Sequence, residues 1–271
     1  IDHSMDIGLC AQEGGKISLE GGKIVDSTQT GVHIQPTAQV NISNNAVVEG
    51  GQYCVRNRGT CVVTGGTLRD ASGCLVYSVG ELTVDYKGKN ADDRLEWYGA
   101  LGEAGIRIGG SSTASIQGLY LHDMKKEGIR AVNHNSVKIT NCVIANTGGY
   151  GFDSVNGKEE AVVSDLQILD TKDSAFRTRG TVKVSVTNLT VKNTTGFGIK
   201  NLKIAHGRPS VIAEACAHGM KSAISSCAGG RLRKAGSWSR SRRSASRSCP
   251  ASECAPAGRS APSTARSARS V

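Results

Sequence analysis

The chain repeats a short motif at a nearly constant spacing from Gly15 to about Ile204. One apolar anchor residue per repeat marks the period, and successive anchors lie 23, 21, 21, 32, 23, 24 and 23 residues apart. The anchors are Leu19, Ile42, Val63, Val84, Ile116, Ile139, Val163 and Val186. Such a period is typical of stacked structural units, because a single unit cannot bury its own apolar face. The chain is therefore expected to form a solenoid.

Other columns of residues accompany the anchor and indicate the type of solenoid. An apolar residue two positions earlier gives the alternation of a short, half-buried strand, and a Gly, Asn or Asp two positions later favours a left-handed corner. A second apolar column lies five positions after the anchor and comprises Ile24, Val47, Leu68, Leu121, Ile144, Ile168 and Val191. An acidic or Asn residue follows at the seventh position, and then a third strand begins after a glycine. Three short strands and three corners per repeat predict an all-β chain, a parallel β-helix of about eight turns.

The repeat resembles that of a known superfamily. Residues 128–131 read Gly-Ile-Arg-Ala, and residues 137–146 read Val-Lys-Ile-Thr-Asn-Cys-Val-Ile-Ala-Asn. This pattern is similar to the right-handed parallel β-helix repeats of the pectate-lyase-like superfamily, and the resemblance covers roughly residues 15–204. It implies a single right-handed β-helix. The superfamily includes polysaccharide lyases, glycoside hydrolases, epimerases, phage tailspikes and non-catalytic adhesins, so the resemblance does not imply one activity.

Charge divides the chain into two parts. Residues 1–204 carry 21 Lys and Arg against 21 Asp and Glu, whereas residues 205–271 carry 12 against 2, which accounts for the net charge of +10. A neutral repeat region argues against nucleic-acid binding by the folded part, because such binding requires a basic surface. The repeat columns end in the Ser-, Ala- and Arg-rich segment 205–271. This segment is expected to be disordered or an out-of-frame terminus.

The N-terminal segment 1–14 is expected to be the edge of a truncated solenoid. The chain begins at Ile1 without Met or the apolar core of a signal peptide, so we expect a fragment, and the missing signal carries no information about export. Apolar runs stay well short of the ~18 residues that cross a membrane. The sequence therefore predicts no membrane span. It leaves the oligomeric state open.

The strand after the glycine offers a row of outward side chains. Side chains at equivalent positions of in-register parallel strands lie ~4.8 Å apart. The expected row is His33, Cys54, Leu75, Arg107, Arg130, Asp153, Arg177 and Lys200. By the resemblance, this strand corresponds to the one whose exposed face carries the active site in pectate-lyase-like enzymes. Two interpretations stay open: a ladder of surface ion pairs, or a groove whose arginines bind the carboxylates or sulfates of an acidic polysaccharide.

One repeat is about ten residues longer than the others, and the excess falls in residues 87–104. Long loops on a rigid scaffold often carry function. Trp97 and Tyr98 in this segment are expected either to provide a sugar-stacking rim beside Arg107 or to cover an apolar edge. His122 and Asp123, further along, are expected to alternate onto opposite faces of a strand.

Candidates for catalysis are few. Glycoside hydrolysis requires two or three clustered carboxylates, and only Asp153 lies in the expected row. For lyase chemistry, Arg177 or Lys200 would be the base, as the resemblance implies. A calcium site at Asp26, Glu49 and Asp70 competes with a turn-capping role for the same residues. Cys and His spacing gives no zinc motif.

These observations favour a secreted or surface-exposed β-helix that binds a polysaccharide or surface glycan, or has a structural or adhesive role, without catalysis and without a cofactor. The alternative is a polysaccharide lyase or related enzyme acting on an acidic polysaccharide. The predicted ligand-binding residues are Arg107, Arg130, Asp153, Arg177, Lys200, Trp97 and Tyr98.

Overall fold

The computed structural model describes residues 1–90, 92–200 and 211–216, the last range by its backbone alone. These residues form 24 strands, numbered in chain order, which wind around one apolar core as three parallel faces. The face-1 strands are β1 (Ile7–Ala11), β4 (Thr30–Ile34), β7 (Tyr53–Asn57), β10 (Cys74–Ser78), β13 (Ala104–Gly109), β16 (Glu127–Val132), β18 (Phe152–Val155), β20 (Phe176–Arg179) and β23 (Ile199–Lys200). They form a nine-stranded sheet.

Faces 2 and 3 share a 15-stranded sheet. Face 2 contains β2 (Lys16–Leu19), β5 (Gln39–Ile42), β8 (Thr60–Val63), β11 (Glu81–Asp85), β14 (Thr113–Gln117), the first parts of β17 (Ser136–Thr147) and β19 (Ala161–Thr171), and β21 (Val184–Thr187). Face 3 contains β3 (Lys23–Val25), β6 (Val47–Glu49), β9 (Thr67–Arg69), β12 (Leu95–Tyr98), β15 (Leu119–Met124), the last parts of β17 and β19, β22 (Leu189–Thr194) and β24 (Val211–Cys216). The two faces join because β17 and β19 run through the corner between them.

Strand pairing confirms the repeat that the sequence predicts. The eight anchors pair in series from Leu19 to Val186, and their strands on face 2 mark eight turns. From Ile42 to Val186 the anchors are buried, and the core they form continues across all three faces. The fold is thus an all-strand parallel β-solenoid within the described residues.

The predicted left-handed corners are present. Asn141 and Asp165 have φ values of 50° and 52° where β17 and β19 turn between faces 2 and 3. Asp170 and Asn193 have φ values of 53° at the next corner, where the Asn193 Nδ2 donates to Asp170 Oδ1 at 2.9 Å. Short polar side chains tolerate this backbone and bridge adjacent turns, which explains the Asn and Asp columns.

Two positions in these columns were predicted wrongly. Ile24 pairs with Val48 rather than Val47, so Val48 occupies the core column. Glu49 is displaced from the corner column, and Gly50 takes the left-handed conformation with a φ of 80°. Because β6 begins one residue later than the spacing suggests, both assignments shift by one.

The boundary at residue 204 falls within residues that the structure does not describe. Strand β24 lies beyond that boundary and pairs in register with β22, so face 3 continues past the predicted end of the repeats. The remainder of the predicted tail 205–271 lies outside the described residues. Where the structure describes the chain, it contains no helix with the length and apolar character needed to cross a membrane.

Candidate functional site

The second half of the predicted outward row exists on face 1. Arg107, Arg130, Asp153, Arg177 and Lys200 pair in register on five consecutive strands. Their spacing of 23 or 24 residues places one of them on each turn. The sequence therefore predicted this alignment correctly.

The first half of the row was predicted wrongly. His33 pairs with Arg56, Arg56 pairs with Tyr77, and Tyr77 pairs with Arg107, so Arg56 and Tyr77 occupy the row. Cys54 and Leu75 are fully buried instead. Most other turns place a glycine at this position, as in Gly105 and Gly128, whose added Cβ would meet core side chains at 2.7 and 2.5 Å. Cys54 and Leu75 replace that glycine, and so the row was misread by two positions.

Asp153 is the centre of an ion-pair cluster. Its carboxylate is fully buried and accepts hydrogen bonds from Arg177 Nε at 2.8 Å and Arg177 Nη2 at 2.7 Å. Arg179 Nη2 donates to the same carboxylate at 3.1 Å, and Arg130 Nε lies 3.9 Å from it. The expectation that Asp153 lies at the surface is therefore wrong. Arginines from the neighbouring turns converge on the Asp153 carboxylate and cover it.

Arg177 is also less exposed than expected. Only 13% of its side chain is exposed, and its guanidinium carbon lies 3.4 Å from the centre of the Tyr150 ring. Burial acts to lower the pKa of Arg177, but the hydrogen bonds and the charge of Asp153 outweigh it and raise the pKa above the ordinary value. A proton-abstracting base must lose its proton, so this geometry does not suit Arg177 to that role. Lys200, the remaining base candidate, has its Nζ 5.8 Å from the Phe197 ring.

A second ion-pair cluster lies two strands away on the same face. Arg107 pairs with Glu103, and Arg130 Nη1 donates to the other oxygen of Glu103 at 2.6 Å. One carboxylate is thus shared by two guanidinium groups, as Asp153 is shared by Arg177 and Arg179. Arg107, Arg130, Arg177 and Arg179 together outnumber Glu103 and Asp153 by two charges, and Asp173 also acts electrostatically on Arg177. Face 1 therefore contains the ion-pair ladder, one of the two alternatives that the sequence left open.

A groove of about 650 Å³ adjoins the cationic row. Its lining includes Gln52, Tyr53, Ser72, Tyr77, Glu103 and Arg107. The rings of Tyr53 and Tyr77 lie 5.5 Å apart at 35°, and the Arg107 guanidinium lies 5.7 Å from the Tyr77 ring centre. This aromatic pair was not predicted, because a row through Cys54 and Leu75 turns Tyr53 inward and leaves Tyr77 out. The alternation of Val55, Arg56 and Asn57, with Arg56 facing outward, was the signal that could have corrected the row.

Trp97 and Tyr98 do not form a rim beside Arg107. Residues 86–90 and 92–94 lie in the long corner between β11 and β12, which joins faces 2 and 3 rather than leading onto face 1. Trp97 is fully buried, pairs with Leu121 in the core column, and donates from Nε1 to the carbonyl of Gly66 at 3.2 Å. Tyr98 lies on face 3, where its hydroxyl accepts a hydrogen bond from Arg69 at 3.0 Å. The alternative of a sugar-stacking rim beside Arg107 is therefore wrong for both residues, which pack on the apolar core instead, because the long segment returns into register as an ordinary strand.

His122 and Asp123 are in contact, against the expectation that they diverge. His122 Nδ1 lies 2.8 Å from Asp123 Oδ2, and His122 Nε2 lies 3.0 Å from Glu96 Oε1. Asp123 has a φ of 57°, which interrupts the strand's alternation and turns its side chain toward His122. The acidic residue in the corner column was the signal that could have revealed this pair. His122 also stacks between the rings of Tyr98 and Tyr120, at 5.2 and 4.4 Å.

The residues considered for calcium do not converge. Glu49 accepts hydrogen bonds from Arg69 Nε, at 2.9 Å, and from Arg69 Nη2, whereas Asp26 and Asp70 occupy left-handed corners. Asp26 lies instead in an exposed group with Asp2 and His3. The His3 Nδ1 lies 2.5 Å from Asp2 Oδ1, and the His3 Nε2 lies 3.6 Å from Asp26 Oδ2. A calcium ion requires six to eight oxygen ligands, far more than this group offers.

Unfolding should become easier in mild acid because His134 is buried beside the site. Its Nε2 lies 2.9 Å from Ser154 Oγ, and desolvation lowers the pKa of His134 below 6.5. The unfolded chain therefore binds a proton as the pH falls through about 6.5, while the folded chain resists it. We expect the free energy of unfolding to fall between pH 7.5 and pH 5.

Urea titrations at several pH values measure this effect. The matched variant is His134→Gln, which keeps a polar group facing Ser154 but does not titrate. Its slope of stability against pH should be shallower than that of the parent. An equal slope in both proteins would assign the acid sensitivity elsewhere, for example to His33, whose pKa is also lowered by burial.

Comparison with known proteins supports the fold. A family model described as a right-handed β-helix region matches residues 104–230. The match begins at the first residue of β13 and spans the strands that carry Arg107, Arg130, Asp153, Arg177 and Lys200. The searches of curated proteins and of solved structures returned no match.

Proposed function

We propose that this parallel β-solenoid binds an acidic glycan on face 1 and does not cleave it. The proposal places the protein outside the cell or at its surface, where such polysaccharides occur. One observation carries it: two partly exposed arginines, Arg107 and Arg130, share the carboxylate of Glu103 beside a groove lined by two tyrosines.

The charges support an anionic ligand. Glu103 neutralises one of its two arginines, Arg107 and Arg130, and a ligand carboxylate or sulfate would neutralise the other. A guanidinium pairs with such groups through two parallel hydrogen bonds. The side chains of Arg107 and Arg130 are 30% and 27% exposed, so part of each guanidinium group is accessible to a ligand.

The tyrosines support a carbohydrate over a simple anion. An aromatic ring presents a flat apolar face with a polar hydroxyl, which suits a ligand that is apolar on one side and hydroxylated on the other. Tyr53 and Tyr77 lie next to Arg107, so one ligand can contact the rings and the guanidinium together.

Asp153 and Arg177 support binding rather than cleavage. Asp153 is buried and engaged by guanidinium groups, which removes it from contact with a ligand in the groove. Arg177 is held by Asp153 and keeps its proton firmly. These two residues therefore serve the structure of face 1, and the cleavage of an acidic polysaccharide becomes an outcome to be tested.

Arg107→Ala and Tyr77→Ala should each weaken the binding of a uronic-acid polymer by about tenfold or more, because each removes a charge-assisted or aromatic contact. Affinity should also fall with added salt, since exposed charges are screened over about 8–10 Å. Titration calorimetry with a panel of uronic-acid polymers, with calcium and with a chelator, measures both effects.

Lys138→Ala is the matched control, because Lys138 is an exposed cation on face 2. It should leave affinity unchanged, as should the chelator. Equal losses for Lys138→Ala and Arg107→Ala would indicate nonspecific attraction and contradict the proposal. Unsaturated sugar products during incubation would show lyase activity instead of simple binding.

A further inference from the structure

A second groove lies on face 3, away from the arginine row, and has the opposite electrostatic character. Its volume is about 420 Å³. It is lined by Asp92, Arg94, Glu96, Tyr120, Val143 and Leu169. We infer that this groove binds a linear aliphatic amine that carries at least two ammonium groups.

The lining alternates apolar and acidic surface in the way that such an amine requires. Val143 and Leu169 are partly exposed aliphatic side chains next to Tyr120, and they offer contact for a methylene chain. Asp92 and Glu96 are exposed at the groove, with 57% of the Glu96 side chain accessible. A carboxylate accepts a short, charge-assisted hydrogen bond from an ammonium group. An aromatic ring adds cation–π attraction for the same group.

Glu96 is held in position rather than free to rotate. Its Oε1 contacts His122 Nε2 at 3.0 Å, which leaves Oε2 available to a ligand. His122 in turn contacts Asp123 and lies against the rings of Tyr98 and Tyr120. An acceptor that is already oriented loses less conformational freedom on binding.

The local field favours a cation. Burial raises the pKa of Tyr120, and the negative charges of Asp123 and Glu96 raise it further. Asp170 contributes in the same direction. Arg94 is the cation among the six lining residues, and its guanidinium donates to the Asn141 side chain at 2.8 Å and to the Asn141 carbonyl at 3.3 Å. Arg94 is therefore committed to the corner, and carboxylates predominate around Tyr120.

Calorimetric titration of the whole chain with diaminobutane tests the inference. Butanediol, which has the same length without charge, is the matched ligand, and Glu96→Gln is the principal variant. Diaminobutane should bind saturably, butanediol should not, and Glu96→Gln should weaken diamine binding by about tenfold or more through loss of the carboxylate charge. Glutamine keeps an oxygen for His122, so the fold should persist.

Three further variants complete the experiment. Asp92→Asn on the outer loop should also weaken binding, and it gives a second reading if Glu96→Gln changes the circular dichroism spectrum. Glu81→Gln removes an exposed carboxylate from face 2 and should change nothing. Arg107→Ala should leave diamine affinity unchanged, which separates this groove from the glycan site.

The inference is overturned if butanediol binds as well as diaminobutane, if diaminobutane produces no saturable heat, or if Glu96→Gln and Glu81→Gln behave alike. Binding of a lysine-rich peptide but not of diaminobutane also overturns it, because the groove would then recognise a protein partner.

Discussion

Asp153→Asn should lower the free energy of unfolding by about 3–5 kcal/mol, because it removes one partner from a buried ion pair. The substitution removes the carboxylate that accepts two hydrogen bonds from Arg177, whose side chain is only 13% exposed, although Asp173 still acts on Arg177 electrostatically. Arg179 and Arg130 also lie near this carboxylate, so its loss leaves three guanidinium groups close to one another without the anion between them. Urea unfolding followed by far-ultraviolet circular dichroism measures the change.

Asp85→Asn provides the control. Asp85 has 40% of its side chain exposed and contacts Lys87, itself 77% exposed, at 3.5 Å. An exposed pair of this kind contributes about 0–1 kcal/mol. Adding Arg177→Leu to Asp153→Asn should restore part of the lost stability, because the unpaired charge is removed. A loss for Asp153→Asn no larger than that for Asp85→Asn would show that the cluster does not stabilise face 1.

Trp97→Ala should lower the free energy of unfolding by about 3–5 kcal/mol, the usual cost of truncating a large buried aromatic side chain. Trp97 is fully buried between Leu68 and Leu121 in the core column, so its removal leaves a cavity. It also leaves the carbonyl of Gly66 without the indole hydrogen bond. Thermal and urea unfolding measure the loss.

Trp97→Leu is the matched variant, since leucine is the residue of both neighbouring turns at this position. It should cost clearly less than Trp97→Ala because it fills more of the cavity. Glycan affinity per folded molecule should be unaltered in both variants. Loss of glycan binding with unchanged stability would contradict this assignment and support the sugar-stacking role that the sequence position of Trp97 suggested.

The repeating part of the fold was predictable from local sequence. Each turn carries its own alternation and corner residues, and parallel strands in register repeat the same environment every turn. The repeat period alone was enough to predict the pairing of the anchors from Leu19 to Val186. The alignment of Arg107, Arg130, Asp153 and Arg177 followed from the same spacing.

Positions where a turn departs from the repeat were predictable only in part. Cys54 and Leu75 occupy a site where other turns have glycine, and the glycines nearby shifted the predicted register. Trp97 lies in the longest repeat, whose extra residues could be placed at more than one corner. Packing against the turns on either side decides such cases, because only one register fills the core.

The sequence alone determined the parallel β-helix, its period and the strands that carry the cationic row. Tertiary structure decided which charges are available, since the burial of Asp153 depends on arginines from neighbouring turns. It also brought Glu96 to His122 across a 26-residue separation and joined Tyr53 to Tyr77 beside Arg107. Periodicity specifies which residues stack, whereas contacts between turns set the burial, pairing and orientation of each side chain.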